Sequence, residues 1–232
     1  MEGPARAGLA TVTAGAVVIA GLDVAYLGEI NPLRRTISEH GLGDQAWVFG
    51  LGVALLALGS LAIGITLLRR RLAGAPGLVA LLGWSLGLLV VAWFPKHDWS
   101  VGPSLSGSIH RAGSLVAFLC LPVAAMLIAR TWRRHPRAAL AAFVLGGASL
   151  VWVAGIVTMI AIGNSSGLAW WQVMPLGLVE RGLAATEVGA LVALGVWAAT
   201  RAVANSPATA APHGPASHPG GDTTTRPTRV PR

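Results

Sequence analysis

Two histidines, an aspartate, the chain's only lysine, an arginine and four serines crowd into WFPKHDWSVGPSLSGSIHRAG, from Trp93 to Gly113. Three chemistries suit such residues. His40, His97 and His110 with Asp44 or Asp98 would make a metal site, and three imidazoles are a common zinc set. No tight His-x-x-x-His or His-Glu pair supports that set. Ser106 and His110 lie four apart and would share a helix face as nucleophile and base, although serines at a helix start usually serve as caps. His110 and Glu187 could instead handle a proton. Haem fits poorly, because the other apolar helices hold no imidazole at depth to face His110.

On both sides of this stretch the chain is Leu, Val, Ala and Gly. Of 232 residues, 54% are hydrophobic and 11% charged, and mean hydropathy is +0.66. A soluble domain carries roughly a quarter charged residues, and no soluble fold of this length hides so much apolar surface. A bilayer does. The formal charge of +8 does not point to nucleic acid. The arginines form short runs between apolar blocks, at Arg69–Arg71 and in RTWRRHPR (130–137), the pattern of positive-inside anchoring. One cysteine, Cys120, forbids an intramolecular disulfide and reads as a small apolar residue.

A spanning helix needs about 20 mostly apolar residues. Blocks of that kind lie at 7–27, 46–68, 77–95, 108–129, 138–162 and 177–200, predicting an all-α integral membrane bundle of six helices over residues 1–201. The first block resembles a signal peptide, since Arg6 precedes an apolar core, but it lacks a convincing small-x-small cleavage site. It is expected to be retained. Arginine-rich loops alternate with loops carrying Glu29, Glu39, Asp44 and Asp98, which places both termini in the cytoplasm and the polar loops outside. Residues 202–232 hold six prolines and little that could build a core, so they are expected to form a disordered cytoplasmic tail. His213 and His218 there are too far apart to suggest a metal site. Glycines in the second, fifth and sixth blocks would let helices approach closely. Trp47, Trp93, Trp99, Trp170 and Trp171 fall at outer boundaries, where indoles anchor in the headgroup region.

The helices must bring the polar residues to one end. Asp23 lies near the end of the first helix, and TISEHGLGD adds Ser38, Glu39, His40 and Asp44. Pro95 ends the third helix, and Ser104 or Ser106 caps the fourth. GLVERGLAATEVG opens the sixth with Glu180 and Arg181. Glu187, ten residues past Gly177, lies about 15 Å along the axis, near mid-bilayer. A lipid-facing carboxylate there costs at least ~2.5 kcal/mol, so Glu187 must face inward, with His110 or Arg111 as partner or with a proton or water. Glu180 and Glu187, seven apart, share one helix face.

NPLRRTISEHG, then WFPKHD with GSIH opening the next helix, then GLVERG opening the last, resembles a bacterial family of multi-pass membrane proteins, the domain of unknown function 998 family. The resemblance spans essentially residues 7–200. The family's motifs fall on Ser38, Glu39, Gly41, Phe94, Pro95, Asp98, His110 and Arg181, with one extra residue here between proline and aspartate. It implies a six-helix bundle in a bacterial cell membrane and supplies no activity.

The residues expected to line an outward-facing polar pocket are Asp23, Ser38, Glu39, Asp98, His110, Arg181 and Glu187. Three functions are open: proton-linked binding or transport of a small or ionic ligand, metal-dependent hydrolysis of lipid or envelope substrates at His40, His97 and His110, and a structural or assembly role. The lipid bilayer is the expected partner, with a small-molecule or lipid ligand in the first two readings.

Overall fold

Leu51, Leu58 and Ile65 recur every seven residues on one helix and are all half-exposed, while Val53, Leu56, Ala57, Ser60, Ile63 and Leu67 on the other face are buried. That pattern is repeated on the neighbouring helices. Val17 and Val24, Leu82 and Leu86, Leu115 and Leu119, Val144 and Val151 all stand outward. A water-soluble monomer rarely exposes contiguous apolar patches beyond a few hundred Å², so this outer surface belongs against lipid.

The computed structural model describes residues 3–130, 137–167 and 174–204. Among them are six long helices: α1 (Gly3–Ala25), α2 (Ala46–Arg69), α3 (Ala75–Trp93), α4 (Leu105–Ala129), α5 (Arg137–Ser166) and α6 (Leu176–Ala204). All six are long and apolar enough to cross a membrane. The only other element in the described residues is a 3₁₀ turn at Ile37–Gly41. Helix α6 runs through Ala204, three residues into the expected tail of 202–232; the rest of that tail, Trp170, Trp171 and most of the 130–137 loop lie outside the described residues.

Each helix packs on the next in chain order, and α6 closes the ring on α1 while also touching α2 and α4. With no hydrophobic drive between helices in lipid, close backbone approach supplies the packing. A Cβ added at Gly15 would sit 2.6 Å from the Gly52 carbonyl, and one at Gly87 would sit 2.7 Å from that of Gly113. Those glycines seat α1 on α2 and α3 on α4. Gly147 and Gly155, expected to pack likewise, have nothing within 4 Å of an added Cβ. Within the bundle the Trp84 indole N–H donates to Ser60 Oγ at 2.9 Å, and Ser60 donates to the Leu56 carbonyl at 2.6 Å. Trp47, Trp93 and Trp99 are exposed at one end, where indoles suit the headgroup layer.

Candidate functional site

The 26–36 loop, the 3₁₀ turn, the 94–104 loop and the first turns of α4 and α6 meet at one end of the bundle. Ser104 adopts extended backbone and its hydroxyl accepts from the Gly107 N–H, capping α4. Leu178 N–H donates to the Leu33 carbonyl at 3.2 Å, docking α6 on the loop after α1. Gly177 permits this, since an added Cβ would collide with the carbonyls of Pro32 and Arg35.

Those same two carbonyls accept from Arg181 Nη1 at 2.8 and 2.7 Å, and the Gly177 carbonyl accepts at 3.1 Å. The rest of the guanidinium faces Asp23, with Nη2 to Oδ1 at 2.6 Å and Nε to Oδ2 at 2.9 Å. This two-pronged pair joins α6 to α1 with the geometry that makes Arg–carboxylate bonds strong. His40, fully buried, lies 2.9 Å through Nε2 from Asp23 Oδ1. A carboxylate accepts, so Nε2 carries the hydrogen, and Nδ1 has no hydrogen-bond partner among the described residues. The Tyr26 ring meets His40 edge-on at 5.8 Å.

A second cluster ties the loops together. Lys96 Nζ donates to Glu39 Oε2 at 2.6 Å and to Thr36 Oγ1 at 3.0 Å, and Arg35 reaches Glu39 Oε1 at 3.3 Å. Glu180 Oε2 accepts from the Ile37 N–H at 2.6 Å, fixing the 3₁₀ turn to α6.

Beneath these contacts lies a cavity of about 390 Å³. Its walls are largely apolar, with Ile19, Phe49, Val53, Leu56, Trp84 and Phe118 among them, and its polar groups include Asp23, Ser38, His110, Ser114, Glu180 and Arg181. Pro122, inside α4, lacks the N–H that would bond the Phe118 carbonyl in this wall. A second cavity of about 230 Å³ shares Phe49, Val91 and His110 with the first.

Of the residues expected to line one pocket, Asp23, Ser38, His110 and Arg181 do so. Glu39 is occupied by Lys96 and Arg35. Asp98 is exposed and turns back on Ser100, accepting from its hydroxyl at 2.6 Å and its N–H at 2.9 Å. Those bonds hold its carboxyl below the ordinary carboxylate range. Glu187 is fully buried, as depth demanded, but neither carboxyl oxygen has a hydrogen-bond partner among the described residues, and it is not in the cavity wall. The pairing with His110 or Arg111 is not made, because His110 bonds the Phe94 carbonyl at 2.7 Å and Arg111 is exposed. Glu180 and Glu187 part company because seven residues carry Glu187 about 10 Å deeper and about 20° round the axis.

The three imidazoles do not converge. His40 is on Asp23, His97 Nδ1 accepts from the Ser104 N–H at 3.0 Å, and His110 is on Phe94. No group of three His, Cys, Asp or Glu among the described residues is placed to hold a metal. Ser106 donates to the Pro95 carbonyl at 2.9 Å, away from a nucleophile's role with His110.

Six apolar spans, a lipid-facing exterior and a network of ion pairs gathered at one end define a multi-pass α-helical membrane protein. The chain belongs to the family described as "Protein of unknown function (DUF998)", whose model matches residues 7–197. No curated protein and no solved structure matches it.

Proposed function

We propose that the protein binds a small amphipathic molecule in the 390 Å³ cavity, its apolar body among the helices and its polar end toward Asp23, His110, Glu180 and Arg181. The cavity is the observation that carries this reading. Its volume falls within the roughly 300–1,000 Å³ of ligand sites, and apolar walls with a few convergent polar groups are their usual lining. Ala16 and Ala20 of α1 and Ala184 and Ala185 of α6 line it, with Ala20 and Ala185 exposed, which favours access from the bilayer between these helices. The arginine runs support placing this end outside a bacterial cytoplasmic membrane, with both termini inside.

Proton-linked transport is a second reading, favoured by the buried Glu187, whose carboxyl oxygens have no hydrogen-bond partner among the described residues. In it Glu187 acts apart from His110.

The test is extraction. Protein purified from native membranes should release, into organic solvent, a small molecule in near-stoichiometric amount. Ala184→Phe, or the milder Ala16→Leu if the first melts early, should reduce it severalfold by filling the space. Identical extracts from wild type and a folded, filled variant contradict the reading.

A further inference from the structure

We infer that the cavity selects a head group that donates hydrogen bonds, an alcohol or an amine, over an anionic one. This rests on the binding reading above and adds the chemistry of the ligand's polar end.

Hydrogen-bond supply in the cavity wall favours a donor. The Phe94 carbonyl can only accept, so His110 Nδ1 carries a hydrogen. In the neutral ring, Nε2 is then an acceptor, and no side chain or backbone group among the described residues takes it up. Glu180 spends Oε2 on the Ile37 N–H, and its Oε1 has no partner among the described residues. Ser114 directs its hydrogen to the His110 carbonyl, leaving its own oxygen to accept. Each of these three groups therefore leaves an acceptor for a ligand, and the donors beside them are the second Nη2 hydrogen of Arg181 and the hydroxyl that Ser38 shares with Thr36.

Charge balance disfavours an anion. The cavity wall holds two acidic side chains, Asp23 and Glu180, and one guanidinium, Arg181. The guanidinium is engaged by Asp23 at two points and by three carbonyls through Nη1. Lys96, nearby, is not in the wall and is held by Glu39 and Thr36. An anion placed here would find both nearby cations already engaged, and whenever Glu180 is ionised it would meet a like charge as well. A hydroxyl or ammonium finds the acceptors it needs.

Full-length protein in phosphatidylcholine nanodiscs should be photolabelled with three diazirine probes of one ten-carbon chain: an alkanol, an alkylamine and an alkanoate. Labelling of cavity segments in α1, α4 and α6 is normalised to that at lipid-facing Leu58. The alkanol or the alkylamine should exceed the alkanoate by about tenfold, the worth of one good hydrogen bond to a charged group. Glu180→Gln can still accept from Ile37 but offers an N–H in place of the free oxygen. It should narrow the preference, costing the amine more than the alcohol. His110→Asn keeps a donor for Phe94 while removing Nε2, and should weaken the alcohol. Alkanoate labelling equal to or above the others overturns the head-group assignment and leaves the cavity reading standing. No enriched cavity labelling by any probe overturns both.

Discussion

Arg181 and Asp23, 158 residues apart, meet in a forked ion pair at 2.6 and 2.9 Å, closing the first helix onto the last. The same aspartate oxygen also receives His40, so one carboxylate joins α1, the 3₁₀ turn and α6. Removing only the guanidinium leaves that carboxylate partly buried with one donor. Arg181→Gln should therefore lower stability by about 3 kcal/mol, and the double variant Asp23→Asn/Arg181→Gln by distinctly less. Thermal unfolding in detergent gives the double-mutant cycle. Simple additivity would show that the two side chains act independently.

Gly177 allows the α6 terminus to lie against the carbonyls of Pro32 and Arg35. Gly177→Ala forces these apart and should cost about 1–3 kcal/mol, as overpacking does. Faster hydrogen exchange should appear at Leu178, whose N–H bonds Leu33. Unchanged exchange there would mean the loop yields without loss.

Nothing among the described residues balances a charge at Glu187. Glu187→Gln, similar in size and neutral, should fold and melt within about 1 kcal/mol of wild type, whereas Glu187→Lys should fail to accumulate, given the cost of an uncompensated buried charge. A folded Glu187→Lys protein would show that this point is wetter than its burial implies. If Glu187→Gln folds yet abolishes substrate movement in vesicles, the proton-linked reading gains.

The helices were legible because a bilayer sets a length of about 20 apolar residues, which each block meets. The 3₁₀ turn was not, since five residues carry no periodicity. The pairing of Asp23 with Arg181 could not be read either, because spacing reports neighbours on one element and these lie on the first and last. Depth marked Glu187 as buried correctly, but shared helix face was too coarse to separate it from Glu180. Glu180 was passed over as a site residue although its signal was there, an acid beside Arg181 at a helix start. The histidines suggested a metal by type alone, and only coordinates reveal three separate partners.

Asp98 owes its low carboxyl pKa to Ser100, first the hydroxyl and then the N–H. Because the folded value lies below the ordinary 3.8, the bonded carboxylate favours the folded loop above that pH and loses this effect as pH falls through the folded value. Ser100→Ala should raise the Asp98 midpoint toward 3.8 in a carboxyl NMR titration. An unmoved midpoint would assign the shift elsewhere.

Lys96, the only lysine, is a built-in reporter. Held by Glu39 at 2.6 Å, it should acylate slowly, and Glu39→Gln should speed the reaction severalfold. A membrane-impermeant amine reagent added to intact cells should reach it in that variant if this end faces outward. Labelling only after lysis would reverse the proposed orientation.

The cavity itself is tested most directly by thiol access. In a Cys120→Ala background, Ser114→Cys and Ala184→Cys line the space, whereas Ala57→Cys is packed and fully buried. An alkyl methanethiosulfonate should modify the first two at least tenfold faster than the third, and Ala16→Phe should slow both. Equal, negligible reaction at all three positions would mean that the bundle is solid where the account requires a site.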